Sequence, residues 1–263
     1  MSKFFLRSKW IFILPGAVML ALFLLPLSAI LIRSSGDDFF ANAFSGQALK
    51  ALRLSFITSA VTTLLAMLFG TPLAYMLARW RIRFKTALEL LIDLPIVLPP
   101  SVAGLALLIA FGRRGIFAPA LEALGVSLPF TPAAVVLAQL FVAAPLYIRA
   151  ARIGFAEVDA QLEEAANVEG ANPWQMFTAV MLPLSGRALL SGAVLTWTRA
   201  LGEFGATILF AGNLEGVTQT MPMAIYLGFE RDLGVALALS ALLIVVSALL
   251  LMLARRLDRQ QHD

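Results

Sequence analysis

Six stretches of about 20 mostly apolar residues run through this chain, each long enough to cross a bilayer as a helix. They lie near residues 10–32, 54–78, 88–111, 133–150, 188–212 and 235–254. Hydrocarbon offers the backbone no partners, so spans of this length must satisfy their own N–H and C=O groups as helices. The expected fold is therefore all-α and integral to a membrane, with residues 1–263 forming one transmembrane domain. Composition agrees: the chain is 60% hydrophobic and only 14% charged, with mean hydropathy +0.88. Soluble domains are nearer half apolar and about a quarter charged. The first stretch follows Lys3, Arg7 and Lys9, as a secretory signal would. It is too long for a signal's apolar region and no convincing cleavage site follows, so a retained anchor is expected.

Basic residues orient the spans. One set of ends carries Lys3, Arg7 and Lys9, then Arg79, Arg81, Arg83 and Lys85, then Arg149, Arg152 and Arg187, then Arg255, Arg256 and Arg259. The opposite loops carry only Arg33, Lys50, Arg53, Arg113, Arg114 and Arg231, and Arg199 falls inside a span. The excess marks the cytoplasmic side, which places both termini there. Charge so distributed follows a membrane, and the net +4 does not indicate nucleic acid. Arg113-Arg114 is the local exception. It is either a tolerated pair in a short loop or a basic collar where an anion or acidic partner arrives.

Several chemistries are excluded. There is no cysteine, and the only histidine is His262, so thiol chemistry, a His-based metal site and a catalytic dyad are all ruled out. No Gly-x4-Gly-Lys-Ser/Thr occurs, so the chain has no P-loop for ATP. Glu89 and Asp93 stand at helical spacing near the start of the third stretch, where they are expected to be solvated or paired with Arg83 or Lys85.

The interruptions matter more. Gly70-Thr71-Pro72, Asp93-Leu94-Pro95, Pro99-Pro100-Ser101 and Pro145 break the apolar runs. Proline frees a carbonyl, which must then be satisfied by protein or a water-filled cavity. Each is either a packing kink or a broken helix beside a pathway. In the fifth stretch Arg199 and Glu203 are four apart and can pair. A charge at mid-membrane costs on the order of 2.5–3.5 kcal/mol, so both should face protein or water. They are either a structural pair or the lining of a route, with Thr196 and Thr207 as neighbouring hydroxyl donors. Gly202, Gly205 and Ala206 supply a narrow surface for helix contact.

The longest polar segment, within residues 155–187, reads as two short helices. Asp159 caps the first, with Glu163 and Glu164 near its positive end. Leu162, Ala165, Ala166 and Glu169 fall at helical spacing, and Gly170 can take positive φ and end it. Asn172-Pro173-Trp174-Gln175 is a capping box that starts the second helix. Trp174, Phe177, Val180 and Met181 give it an apolar stripe, and Pro183 is expected to stop it. From pattern alone this is either an interfacial amphipathic helix or a platform for another protein.

Read in order, the segment is Glu164-Ala165-Ala166, three residues, Gly170, nine residues, Val180, one residue and Leu182-Pro183. It resembles the EAA signature of binding-protein-dependent ABC importer permeases, EAA-x3-G-x9-I-x-LP, departing only in Val for Ile. The resemblance implies a type I importer permease fold with six spans and a cytoplasmic coupling loop that docks on an ATPase. Leu162, Glu164, Ala165, Ala166, Gly170, Trp174, Phe177 and Pro183 would form that docking site. The run from Arg199 to Ala206, then Ala211 to Pro222, resembles oxyanion importers for sulfate and molybdate. The Thr-Gln-Thr-x-Pro-x-x-Ile-Tyr ending, Phe111-Gly112-Arg113-Arg114-Gly115 and the run from Phe130 to Gln139 look more like the molybdate type. The likeness runs from about Leu52 to Arg256.

The resemblance implies a permease for molybdate and tungstate in the inner membrane, with sulfate as the close alternative. Its partners would be a second copy, two ATPase subunits, an extracytoplasmic molybdate-binding protein and lipid. ATP and Mg would be used by the ATPase; this chain is expected to bind no cofactor and no metal and to be no enzyme itself. Pro99, Ser101, Thr196, Arg199, Glu203 and Thr207 are candidates for the path. Arg113, Arg114, Glu215, Thr218, Gln219 and Thr220 are candidates for binding-protein contact. An ATP-independent channel or carrier is the alternative of another class, but it leaves the EAA-like loop unexplained.

Overall fold

A computed structural model describes the backbone of residues 2–259 and the side chains of 11–256. Lys3, Arg7, Lys9, Arg259 and His262 lie outside the described side chains. Every regular element among the described residues is helical. Four helices are long and apolar enough to cross a membrane unbroken, over Ile11–Ser34, Gly46–Arg79, Pro132–Glu157 and Leu233–Arg256. Two bent helix pairs raise the number of candidate spans to six.

In order, α1 (Ser2–Ser34) is followed by the short α2 (Phe39–Ala43) and the long α3 (Gly46–Arg79). Ser45 starts α3 by accepting the Ala48 N–H. The third stretch is not one rod. It divides into α4 (Lys85–Val97) and α5 (Pro100–Phe111), bent by 114°. Pro99-Pro100 explains the break: Pro100 has no N–H to continue α4, and Pro99 holds Leu98 extended at ψ 138°. After α6 (Ala118–Ala123), Thr131 caps α7 (Pro132–Glu157) with Pro132 at its first position.

The centre of the bundle is α3, α7 and α11 (Gly186–Leu201). Small residues let these backbones approach. A Cβ added at Gly154 would lie 2.4 Å from the Ala188 Cβ, and one at Gly192 would lie 2.8 Å from the Ala150 Cβ. Hydrogen bonds across the bundle add specificity: Trp197 Nε1 donates to Ser59 Oγ at 2.8 Å, and Thr62 Oγ1 donates to Gln139 Oε1 at 3.0 Å. The fifth stretch also breaks, after Leu201, and resumes as α12 (Gly205–Phe210). α13 (Met221–Arg231) and α14 (Leu233–Arg259) close the bundle, and α1 packs mainly along α14.

Glu89 and Asp93 are paired, but not with Arg83 or Lys85. Asp93 meets Arg149 and Glu89 meets Arg152, each at 2.7 Å. Helical periodicity places both carboxylates on one face of α4, where they reach across to α7 rather than back along their own chain.

Candidate functional site

The EAA-like segment folds as two helices with the expected caps. The first, α8, spans Ala160–Val168, and Asp159 accepts the Gln161 N–H at 2.9 Å. Gly170, at φ +84°, ends it. The Gly170 N–H bonds to Asn167 O and the Ala171 N–H to Ala166 O, the two bonds of a Schellman motif. Asn172 and Gln175 form a complete reciprocal capping box at the start of α9 (Pro173–Gln175).

Pro183 does not stop the second helix. The run continues through a π-helical stretch at Met176–Met181 into α10 (Leu182–Leu184). The Leu182 N–H reaches back five residues to Phe177 O. The wider π register accommodates a proline that an α register would reject. The chain bends by 70° only after Leu184, where α11 begins.

One face of this segment is built into the bundle and the other is left bare. Met176 and Met181 are buried, and Phe177 packs between Tyr75 and Phe155 with ring centroids 5.1 and 6.2 Å away. Arg79, the last residue of α3, is the second anchor. Its Nε lies 3.0 Å from Glu163 Oε1, and its Nη2 donates to Val158 O. Sequence reasoning counted Arg79 only as a cytoplasmic charge, because nothing local connects it to residues about eighty positions away. By contrast α8 buries no residue: Leu162 is 47% exposed and Val168 87%, and Trp174 at the head of α9 is 71% exposed. Glu164 and Ala165 also face outward, whereas Ala166 is half-buried against the core, and Pro183 is exposed. The segment is thus anchored on one side and presents Leu162, Val168 and Trp174 outward on the other.

The membrane charges are organised around the break between α11 and α12. Arg199 lies about 20 Å along α11 from its start. Its Nη1 donates to Glu203 Oε2 at 2.7 Å, and Glu203 Oε1 accepts the Ala206 N–H at 2.9 Å. Glu203 is thus fully engaged and buried, while the Arg199 side chain remains 35% exposed on the outside of this chain. Thr196 faces inward, donating to Ala143 O at 3.4 Å. Thr207 is buried without a partner for its hydroxyl. Pro99 and Ser101 are exposed at the start of α5, whose Pro100 abuts α12. A Cβ at Gly205 would meet the Pro100 Cβ at 2.4 Å, as expected of a close-contact glycine, whereas Gly202 is exposed and touches nothing so closely.

The outer-loop candidates separate into two groups. Arg113 and Arg114 are exposed, with the Arg113 guanidinium 5.8 Å from the Phe130 ring centroid. Beside Arg113 opens a cleft of about 230 Å³, lined also by Glu122 and Ser127. Glu215 is exposed and paired with Lys50 at 3.0 Å. Thr218, Gln219 and Thr220, expected to meet a partner, are instead at most 2% exposed. Thr218 Oγ1 accepts the Leu214 N–H and Gln219 Oε1 accepts from Gln47, so these side chains tie the loop to its own chain.

Comparison with known proteins agrees with this architecture. The family described as "binding-protein-dependent transport system inner membrane component" matches residues 66–262. The molybdenum transport system permease protein ModB of Mycobacterium tuberculosis is 44% identical over 244 residues, covering 93% of this chain and 92% of that protein. The molybdate/tungstate transport system permease protein WtpB of Thermococcus kodakarensis is 35% identical over 206 residues, 78% of each. Among solved structures, a bacterial alginate ABC transporter in complex with an alginate pentasaccharide-bound periplasmic protein is similar in fold. Its TM-score is 0.74 at 18% identity, covering 97% of this chain and 94% of that one.

Proposed function

The chain belongs to the family of binding-protein-dependent transport system inner membrane components, and from that membership we propose that it forms the translocation path for molybdate and tungstate in an ABC importer. The observation that carries the coupling half of this reading is the set of exposed apolar side chains on α8, held in place by Arg79 and the half-buried Phe177. A face so rigidly presented suits an ATPase subunit, whose closure would move α8, and with it α3 and α7, as one body. Two copies of the chain would share the path, with two ATPase subunits on the cytoplasmic side of both termini and a binding protein opposite. The ATPase would use ATP and Mg, and this chain would supply the route. Arg199, neutralised by Glu203 yet still partly exposed, would offer a guanidinium to a passing oxyanion. The exposed Ser101 would be a weaker donor, while Thr207 is buried and would have to be uncovered before it could take part. Contacts must stay transient, since tight binding prevents release.

The test is uptake into proteoliposomes containing the chain with its ATPase and binding protein. Molybdate should accumulate only with ATP inside the docking compartment and with the binding protein on the other side. Uptake independent of the ATPase would identify a channel or carrier instead.

Substitutions at two places probe the ends of the machine. No atom lies within 4 Å of a Cβ at Gly170, so substitution there is resisted by φ alone. Gly170→Val should strain the turn by at least about 1–2 kcal/mol and displace α9 relative to α8. Asn tolerates this conformation, so Gly170→Asn should retain function. Both variants should insert, but only the valine should lose ATPase subunits or uncouple hydrolysis from uptake. On the opposite face, Arg113→Glu with Arg114→Glu should leave ATPase assembly intact and slow docking of loaded binding protein, most at low salt. Stimulation of ATP hydrolysis by added binding protein at two ionic strengths measures this. Equal stimulation in variant and parent would confine these arginines to the membrane boundary.

A further inference from the structure

We propose that residues 80–85, from the end of α3 to the first residue of α4, form a binding site for the headgroup of an anionic phospholipid of the cytoplasmic leaflet, placed beside the arginine that holds the α8 segment. The side of the membrane rests on the bias of Lys and Arg between the two sets of loops; the site itself rests on charge and exposure.

Arg81 and Arg83 are exposed and Lys85 is half-exposed. Among the described residues these three form no ion pair. The nearby carboxylates are already committed: Glu89 to Arg152, Asp93 to Arg149 and Glu163 to Arg79. Three positive groups are therefore left without a carboxylate partner among the described residues. Trp80 and Phe84 alternate with them and are 55% and 69% exposed. The guanidinium of Arg83 lies 5.9 Å from the Phe84 ring centroid, which leaves its edge free to donate outward. α4 begins at Lys85 with no side-chain cap and no acidic residue in its first turn, so the positive end of its dipole adds to the same field.

Two occupants have the required negative charge, an anionic lipid and an acidic surface of the ATPase. The apolar neighbourhood favours lipid. α4 continues from Phe84 with Leu90, Leu91 and Val97 exposed by 67%, 65% and 81%. Such a surface belongs in hydrocarbon, which puts Trp80 and Phe84 at the depth where aromatic side chains anchor, and the cations level with headgroups. The consequence is mechanical. Trp80 adjoins Arg79, whose contacts with Val158 and Glu163 position α8, so a bound headgroup would steady the clamp.

The test uses the full chain purified in detergent, titrated with dioleoylphosphatidylglycerol or dioleoylphosphatidylcholine and read by native mass spectrometry. A basic residue near an anionic surface strengthens binding about fivefold. The parent should therefore retain phosphatidylglycerol in preference to phosphatidylcholine. R81Q/R83Q/K85Q should lower phosphatidylglycerol affinity by more than about tenfold, and R81K/R83K should keep most of it. If the triple variant inserts poorly, the singles R81Q and R83Q should each lose roughly fivefold. Equal retention of the two lipids, or undiminished phosphatidylglycerol binding by the variants, would overturn the proposal. So would complete displacement by inorganic phosphate, which would make the ligand a free anion. Loss of ATPase copurification with lipid preference unchanged would assign the loop to the ATPase. This lipid arm needs no transport, so its failure leaves the transport reading standing, and absence of ATP-driven uptake leaves the lipid site standing.

Discussion

Glu203→Leu should be the most damaging single substitution in the membrane region. Glu203 is buried, pairs with Arg199 at 2.7 Å and caps α12 through the Ala206 N–H. Removing one member of a fully buried pair typically costs about 3–5 kcal/mol; the Arg199 charge left here is 35% exposed, so solvent screening brings the cost to the low end of that range. The lost acceptor for Ala206 adds to that. Expression and thermal stability in detergent should fall sharply. The double variant Arg199→Leu with Glu203→Leu should be more stable than the single, because no lone charge remains. If the 35% exposed Arg199 lines the route, the double variant should nevertheless transport molybdate poorly. A stable double variant with parental uptake would restrict the pair to holding the break between α11 and α12.

The contrast between these residues and the docking segment shows what a sequence displays. The caps at Asp159, Asn172 and Gln175 and the turn at Gly170 connect groups two to five residues apart. Local chemistry dictates them, and they read directly. The apolar spans were legible for the same reason, since hydropathy is a property of consecutive residues. The breaks were visible as prolines and glycines, but their size was not: the angle of 114° between α4 and α5 depends on what each half packs against. Pro183 misled because a π register can absorb a proline, and nothing in Leu182-Pro183 announces that register. Thr218, Gln219 and Thr220 look like a polar loop, yet their partners include Gln47, far away in the chain. Arg149 and Arg152 were legible as positive charges, and only the folded bundle brings them to Asp93 and Glu89.

Arg79→Ala should separate ATP hydrolysis from transport. The side chain is 17% exposed and joins three elements: the end of α3 that carries it, Val158 just beyond α7, and Glu163 on α8. Its loss leaves the Val158 carbonyl without its donor and the Glu163 carboxylate without its counter-ion, at a site that water partly reaches. The stability cost should accordingly be moderate, about 1–3 kcal/mol, rather than the larger figure expected for Glu203. The mechanical cost should be greater. Leu162, Val168 and Trp174 would still present the same exposed side chains, so ATPase subunits should copurify and basal hydrolysis should persist. Yet α8 would be tied to α3 only indirectly, through the packing of Ala166 and the Gly170 turn into the Phe177 segment, and its displacement would drag α3 less directly. Molybdate imported per ATP hydrolysed should fall by roughly tenfold, a loss of about 1.4 kcal/mol in coupling. Arg79→Lys should recover part of it, because an ammonium can meet Glu163 but cannot fork to Val158 O as well. Glu163→Gln should resemble the lysine variant, since it keeps the Val158 contact and gives up the charge. Measuring uptake and hydrolysis together in proteoliposomes decides the matter. A parental ratio in Arg79→Ala would show that Phe177, seated between Tyr75 and Phe155, transmits the motion without help from the arginine.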